Sequence, residues 1–200
     1  MAKAPTKSEM VAAQINALKK LKGMSVEAGW FETNLYTAGK GIPDSQVGVP
    51  VARIARIQEF GATIHHPGGT KYITDAIVGD RFVGTRFVHK DFPGEHETTK
   101  AHIIVIPARP FMRKAWLDFS NNRKAIQNKI AHQLIEGRIQ PAQALGQIGM
   151  ALEGYIVKSI KNGGWQENAP STVAKKGFNK PLIDSGQMWQ TVSSKVGTSS

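Results

Sequence analysis

The sequence predicts an α+β protein: an antiparallel sheet with a long β-hairpin arm, packed against several helices. Three observations carry this. Apolar residues recur at helical spacing near the N-terminus, over 51–60 and from 110 to 160. Aromatic and β-branched clusters broken by Gly and Pro fill 64–105. The chain has 200 residues, 40% of them hydrophobic and 20% charged, so it can bury about 70% of its unfolded surface and needs no staples. No internal repeat, heptad array or low-complexity tract is present. The expected organisation is one α+β domain over 1–200, with 62–105 inserted as a projecting β-arm.

The first element is a helix over Ser8–Lys22. Thr6 or Ser8 can cap it, and Val11, Ile15, Leu18 and Leu21 form its apolar face. Lys19, Lys20 and Lys22 suit the dipole of its last turn, and Gly23 ends it. Met24, Val26, Ala28 and Trp30 then alternate with Ser25, Glu27 and Gly29, the pattern of a strand. Residues 37–50 have loop composition. A second helix runs from Val51 to Phe60, with Val51, Ile54, Ala55, Ile57 and Phe60 on one face and Gly61 as its stop. From Ile64 to Val105, apolar clusters are separated by turns at Gly79-Asp80, Gly84 and Pro93-Gly94.

Pro110 suits the first position of a long helix. Phe111, Ala115 and Trp116 or Phe119 start its apolar face, which continues to Ile126, Ile130, Leu134 and Ile135. Ser120-Asn121-Asn122 offers a kink or restart point, and Gly137 closes the helix. Pro141 opens the next helix, carried by Leu145, Ile148, Leu152, Ile156 and Ile160 up to Asn162-Gly163-Gly164. The tail holds a short turn at Ser171–Lys176, a helical turn around Gln187–Trp189 and a final strand at Thr191–Val196.

The chemistry that these residues exclude is extensive. Zero cysteines removes disulfides, thiolate catalysis and cysteine-ligated metals. No Gly-x-Ser-x-Gly elbow, phosphate loop or dinucleotide fingerprint occurs. His66-Pro67-Gly68-Gly69-Thr70 is glycine-rich but leads into a strand, not a helix. Glu95 and Glu97 sit in a polar loop. A metal set would draw on His65, His66, His89, His102 and Asp91, but adjacent strand residues face opposite ways and His65 and His66 cannot share an ion. Asp184-Ser185 reads as a helix cap rather than a nucleophile. The expectation is therefore no catalytic residue, no cofactor and no metal. Met1–Lys22 lacks the apolar core of a signal peptide, and no run approaches the roughly 18 apolar residues of a spanning helix. Folding in cytosol, with no membrane partner, is expected.

The net charge of +11 is uneven: residues 1–100 carry 13 basic and 10 acidic side chains, residues 101–200 carry 13 and 5. This fits a footprint for nucleic acid or for an acidic protein. Lys114, Arg123, Lys124 and Lys129 on one helical segment are the residues available to track phosphates, or they form a solvated helix face.

Three segments together resemble a family. Val51-Ala-Arg-Ile-Ala-Arg-Ile-Gln-Glu-Phe-Gly61 is similar to a helix end of tailed-phage neck and tail-completion proteins. Ile106-Pro-Ala-Arg-Pro-Phe-Met-Arg113 resembles that family's Pro-x-Arg-Pro-Phe lead-in to its main helix. Lys180-Pro-Leu-Ile-Asp-Ser-Gly-Gln-Met188 is similar to a turn shared with phage virion-morphogenesis proteins. The resemblance implies a bacteriophage structural protein without catalysis, a homo-oligomeric ring of six- or twelve-fold symmetry at the head–tail interface of the virion. It implies connector or adaptor, tail-tube or tail-terminator proteins as partners, and phage DNA passing through the channel. A tail terminator or morphogenesis factor, and a basic nucleic-acid-binding protein, are the alternatives.

The matched residues that are candidates for fold corner or subunit interface are Glu59, Phe60, Gly61, Pro107, Arg109, Pro110, Phe111, Arg113, Asp184 and Gly186. Gly61 is expected to supply a positive φ, Pro107 and Pro110 a rigid corner, Asp184 a helix cap, and Gly186 a close backbone approach. Glu59, Arg109 and Arg113 are candidates for salt bridges, within the corner or between subunits. The span from His65 to His102, 38 residues, exceeds a plain hairpin and suits an arm that reaches a neighbour by strand addition.

Overall fold

The computed structural model describes residues 6–39, 46–78 and 81–198. The turn expected at Gly79-Asp80 and the middle of the loop expected over 37–50 lie outside them. Helices and small antiparallel sheets make an α+β fold, in line with the sequence pattern. The strands divide among three small sheets rather than one. The chain forms two compact units, one made of residues up to Phe60 and from Ala108 onward, the other of Gly61–Pro107.

In the first unit α1 spans Lys7–Lys22. Thr6 caps it: its hydroxyl accepts from the Glu9 amide while the Glu9 carboxylate accepts from the Thr6 amide, so two orphan donors are satisfied reciprocally. The expected apolar face is only marginally used. Val11, Ile15 and Leu18 remain 46–50% exposed, and only Ala17 and Leu21 pack, against a small cluster of Ile130, Leu134 and Ala144. The reason lies outside the helix: α3 (Phe111–Ile135) and α4 (Pro141–Asn162) bury their stripes against each other, leaving α1 at the margin.

Strand β1 (Met24–Gly29) pairs antiparallel with β7 (Ser193–Thr198), from Met24 opposite Thr198 to Gly29 opposite Ser193. The final strand therefore lies two residues later than the Thr191–Val196 expected. Helix α4 crosses this ribbon at Gly149, where an added Cβ would sit 2.5 Å from Ser194 Oγ, 2.8 Å from Ser194 Cβ and 3.0 Å from Val26 Cγ2. Gly149→Ala gains helix propensity of about 1 kcal/mol but meets a strand that cannot retreat, so a net loss of about 1–2 kcal/mol is expected in chemical denaturation.

Helix α2 occupies Val51–Phe60, the expected bounds, and Gly61 follows with φ +75°. Its buried stripe is Val51, Ala55 and Glu59, at a spacing of four, with Phe60 turned out at 65% exposure. That corrects the apolar face expected to include Phe60. Helix α3 runs unbroken through Ser120-Asn121-Asn122, and Asn122 Nδ2 donates to the Asp118 carbonyl one turn back. Phe119, not Trp116, takes the core position. In the tail, Ser171–Lys176 is a helix, α5 (Pro170–Lys176), ended by Gly177 at φ +79°. A single turn, α6 (Gln187–Gln190), precedes β7.

The second unit holds β2 (Ala62–His66), β3 (Lys71–Val78), β4 (Arg81–Phe87), β5 (Glu97–Thr98) and β6 (His102–Ile106). β2 pairs with β6, and β3 lies between β4 and β5. Gly84 is no turn: it lies inside β4 at φ +69°, opposite Ala76 where the register shifts, the signature of a bulge. Gly68 (φ +86°) lets the chain pass Thr99 and Lys100, since a Cβ there would lie 2.5 Å from the Thr99 carbonyl oxygen. The glycine-rich run is thus used for a strand connection.

Candidate functional site

The three resembling segments lie far apart in sequence and meet in one core of the first unit. Val51 and Ala55 come from the first, Phe111 from the second and Met188 from the third, with Tyr36, Ala115, Ile156 and Ile160 completing the cluster. Phe111 is fully buried, edge-on to Trp30 with ring centroids 5.8 Å apart. Trp30 Nε1 donates to the Met188 carbonyl at 2.8 Å, tying the third segment to the second. Ser159, buried on α4, donates to the Phe111 carbonyl at 2.8 Å.

The lead-in to α3 is built from short-range geometry. Pro110 is the cap residue rather than the first helical residue, a correction to the expected position. With φ −74° and ψ 60°, and the Phe111 amide donating back to the Arg109 carbonyl at 2.7 Å, it forms an inverse γ-turn. Proline has no side-chain oxygen to accept from the amides that follow, so α3 has no cap side chain of its own. Glu59 supplies one from α2. Its carboxylate accepts from the Met112 amide at 2.8 Å and the Arg113 amide at 3.3 Å, where the helix dipole favours negative charge. It also pairs with Arg113 Nε at 3.0 Å, within the same chain. Glu59 is 4% exposed, whereas the Arg113 side chain is 64% exposed and lies over the Phe60 ring.

Arg109 enters no ion pair among the described residues of the chain, so of its two expected salt-bridge roles the one within the corner is absent. It is 5% exposed, and its guanidinium donates to Gln58 Oε1 at 2.7 Å, the Gln166 carbonyl at 3.0 Å and the Glu167 carbonyl at 3.3 Å. It thereby ties the end of α2 to the segment between α4 and α5. Burial pushes its pKa below the usual arginine value, though a guanidinium stays charged. Pro107 ends the second unit directly after β6.

Asp184 does not cap α6. That position belongs to Gly186 (φ +86°), and Ser185 Oγ accepts from the Gln187 amide at 3.4 Å. The Asp184 carboxylate is exposed, and two residues back Leu182 is held at φ 62°. Asp184 acts by charge: it raises the pKa of Tyr36 beyond the rise caused by burial, and partly restores that of Lys176, which burial lowers. Neutral Tyr36 therefore contributes stability fully below its unfolded pKa near 10, lost as pH climbs through the higher folded value. Tyr36→Phe is expected to leave stability near pH 7 unchanged and to reduce this loss above pH 10, read by urea titrations at both pH values.

Beside this corner, α2 and the first turns of α3 frame an apolar groove of about 920 Å³. Trp30, Ala55 and Met112 form its floor; Phe60, Trp116 and Leu117, 58–65% exposed, form its walls, with Arg56 and Arg113 at its rim. The sequence concealed this groove because two of its wall residues, Phe60 and Trp116, also fit a helix core stripe.

The other candidates do not assemble. The rings of His66 and His102 stack 4.9 Å apart across the β2–β6 pair, while His65 faces the opposite side beside Ile103. His89 and Asp91 pair at 3.2 Å in the open. Among the described residues, no three of His, Asp and Glu converge on a metal position, and no helix is long and apolar enough to cross a membrane. Lys114 is paired with Asp118, and α3 as one unbroken helix spreads Lys114, Arg123, Lys124 and Lys129 around its circumference rather than along one stripe. Residues 61–107 carry five basic and five acidic side chains, so the whole +11 excess resides in the first unit. No protein-family model, no curated protein and no solved structure matches the chain.

Proposed function

We propose that this chain is a non-enzymatic virion protein of a tailed-phage head–tail interface, a neck or tail-completion component. It acts as a ring of identical protomers around the DNA channel, between the connector on the head side and the tail. The observation that carries the reading is the convergence of the three resembling segments. Residues 51–61, 106–113 and 180–188 supply Val51, Ala55, Phe111 and Met188 to one core and Glu59 and Arg109 to its polar edge. Segments that share a resemblance and also share one packed corner behave as a single structural unit. A structural role for the corner is supported by its polar groups: the Glu59 carboxylate and the Arg109 guanidinium are occupied by backbone and amide partners.

Electron microscopy of lysates from a phage lacking this gene product tests the reading. Filled heads and free tails lying unjoined are the expected result. Normally joined particles would remove the protein from the junction and bring the basic nucleic-acid-binding reading forward.

A further inference from the structure

Among the described residues, two exposed apolar surfaces besides the α1 face differ in kind. One is the groove walled by Phe60, Trp116 and Leu117 on the first unit. The other is the β2–β6 ribbon of the second. Its β6 sequence, His102-Ile-Ile-Val-Ile106, is a continuous β-branched run, the pattern of a strand buried on both faces. Yet Ile103 and Val105 on one face are 59% and 68% exposed, and Ile64 and Ile104 on the other are 45% and 38% exposed. None of the described side chains of residues 61–107 is buried. A two-stranded ribbon without a core is marginal in water, and a bare apolar edge strand is a template for association.

We propose that the groove seats the β2–β6 ribbon of a second copy, so that protomers join head to tail through Val105 and Ile103 on one side and Trp116, Leu117 and Phe60 on the other. Charge favours this occupant. The second unit is neutral overall but its 89–97 segment exposes Asp91, Glu95 and Glu97 against a single Lys90, whereas the groove lining carries the exposed cations Arg56 and Arg113 against one carboxylate, the buried Glu59. Two different patches in contact make a heterologous interface, the kind that closes into a ring when the rotation allows. The proposal rests on the ring reading above and assigns its contact surfaces.

The chain has no cysteine, so introduced thiols are the only ones present. Val105→Cys on one preparation and Trp116→Cys on another, both at exposed positions, are mixed and oxidised. The expected result is a reducible mixed dimer at least tenfold more abundant than from Val105→Cys mixed with Lys129→Cys, on the far part of α3. A yield equal to that control would overturn the proposal, as would closure of the double variant within one chain at high dilution. The two readings fail separately. Unjoined heads and tails without a mixed disulfide would keep the head–tail role and discard this contact. A mixed disulfide with normally joined particles would keep the contact and discard the role.

Discussion

Replacing Arg109 with methionine is expected to lower the thermal midpoint by roughly 6–12 °C, the shift that a loss of about 3 kcal/mol produces in a chain of this size. The substitution preserves volume and removes a buried charge, which by itself relieves desolvation. Against that stand charge-assisted hydrogen bonds to Gln58 and to the Gln166 and Glu167 carbonyls, worth about 1.5–3 kcal/mol each when formed to a charged donor. Three such bonds outweigh the relief. Lysine is no conservative replacement here, because it keeps the desolvated charge but loses the planar fork that reaches several acceptors at once. Arg109→Lys should cost about 2 kcal/mol or more, and hydrogen exchange should rise over 163–169, the segment that Arg109 holds. A lysine variant within about 0.5 kcal/mol of the parent, inside the range of ordinary surface substitutions, would falsify this account.

Glu59→Ala is expected to cost about 2–3 kcal/mol, with Arg113→Ala costing no more than about 1 kcal/mol. The difference follows from exposure. Arg113 is solvent-screened, so its pairing with Glu59 contributes little, while the carboxylate is nearly inaccessible and caps two amides of α3. Glu59→Gln retains one acceptor oxygen and should lie between the two. Urea denaturation of the three variants and of the Glu59→Ala/Arg113→Ala double variant separates cap from ion pair. Equal costs for the two single alanine variants would mean that the ion pair dominates and the cap is secondary.

Both predictions concern residues that the sequence already singled out, and both depend on partners it did not reveal. Glu59 was legible as a polar residue at a helix end. Its burial was not, because α2 repeats apolar residues on more than one face and periodicity does not say which face is covered. For the same reason the sequence places Phe60 on the core face, and Val11, Ile15 and Leu18 form a well-spaced stripe on a helix whose neighbours are already occupied by each other. Arg109 stands out in the sequence as a polar member of the resembling segments, whereas its acceptors are the Gln58 side chain and backbone carbonyls 57 and 58 residues away.

The features legible from the residues alone are mostly local: the bounds of α2, a cap at Thr6 or Ser8 for α1, Pro141 at the start of α4 and the positive-φ stop at Gly61, together with the α+β class. The caps, stops and helix starts rest on interactions within about four residues, and the class rests on the period of the apolar pattern. Tertiary structure alone decided that β1 pairs with β7, that Gly149 permits α4 to cross them, that a carboxylate from α2 caps α3, and that Trp116 lines a groove instead of filling the core. Each of these joins elements tens of residues or more apart, where the outcome depends on which apolar face finds a partner first to exclude its water.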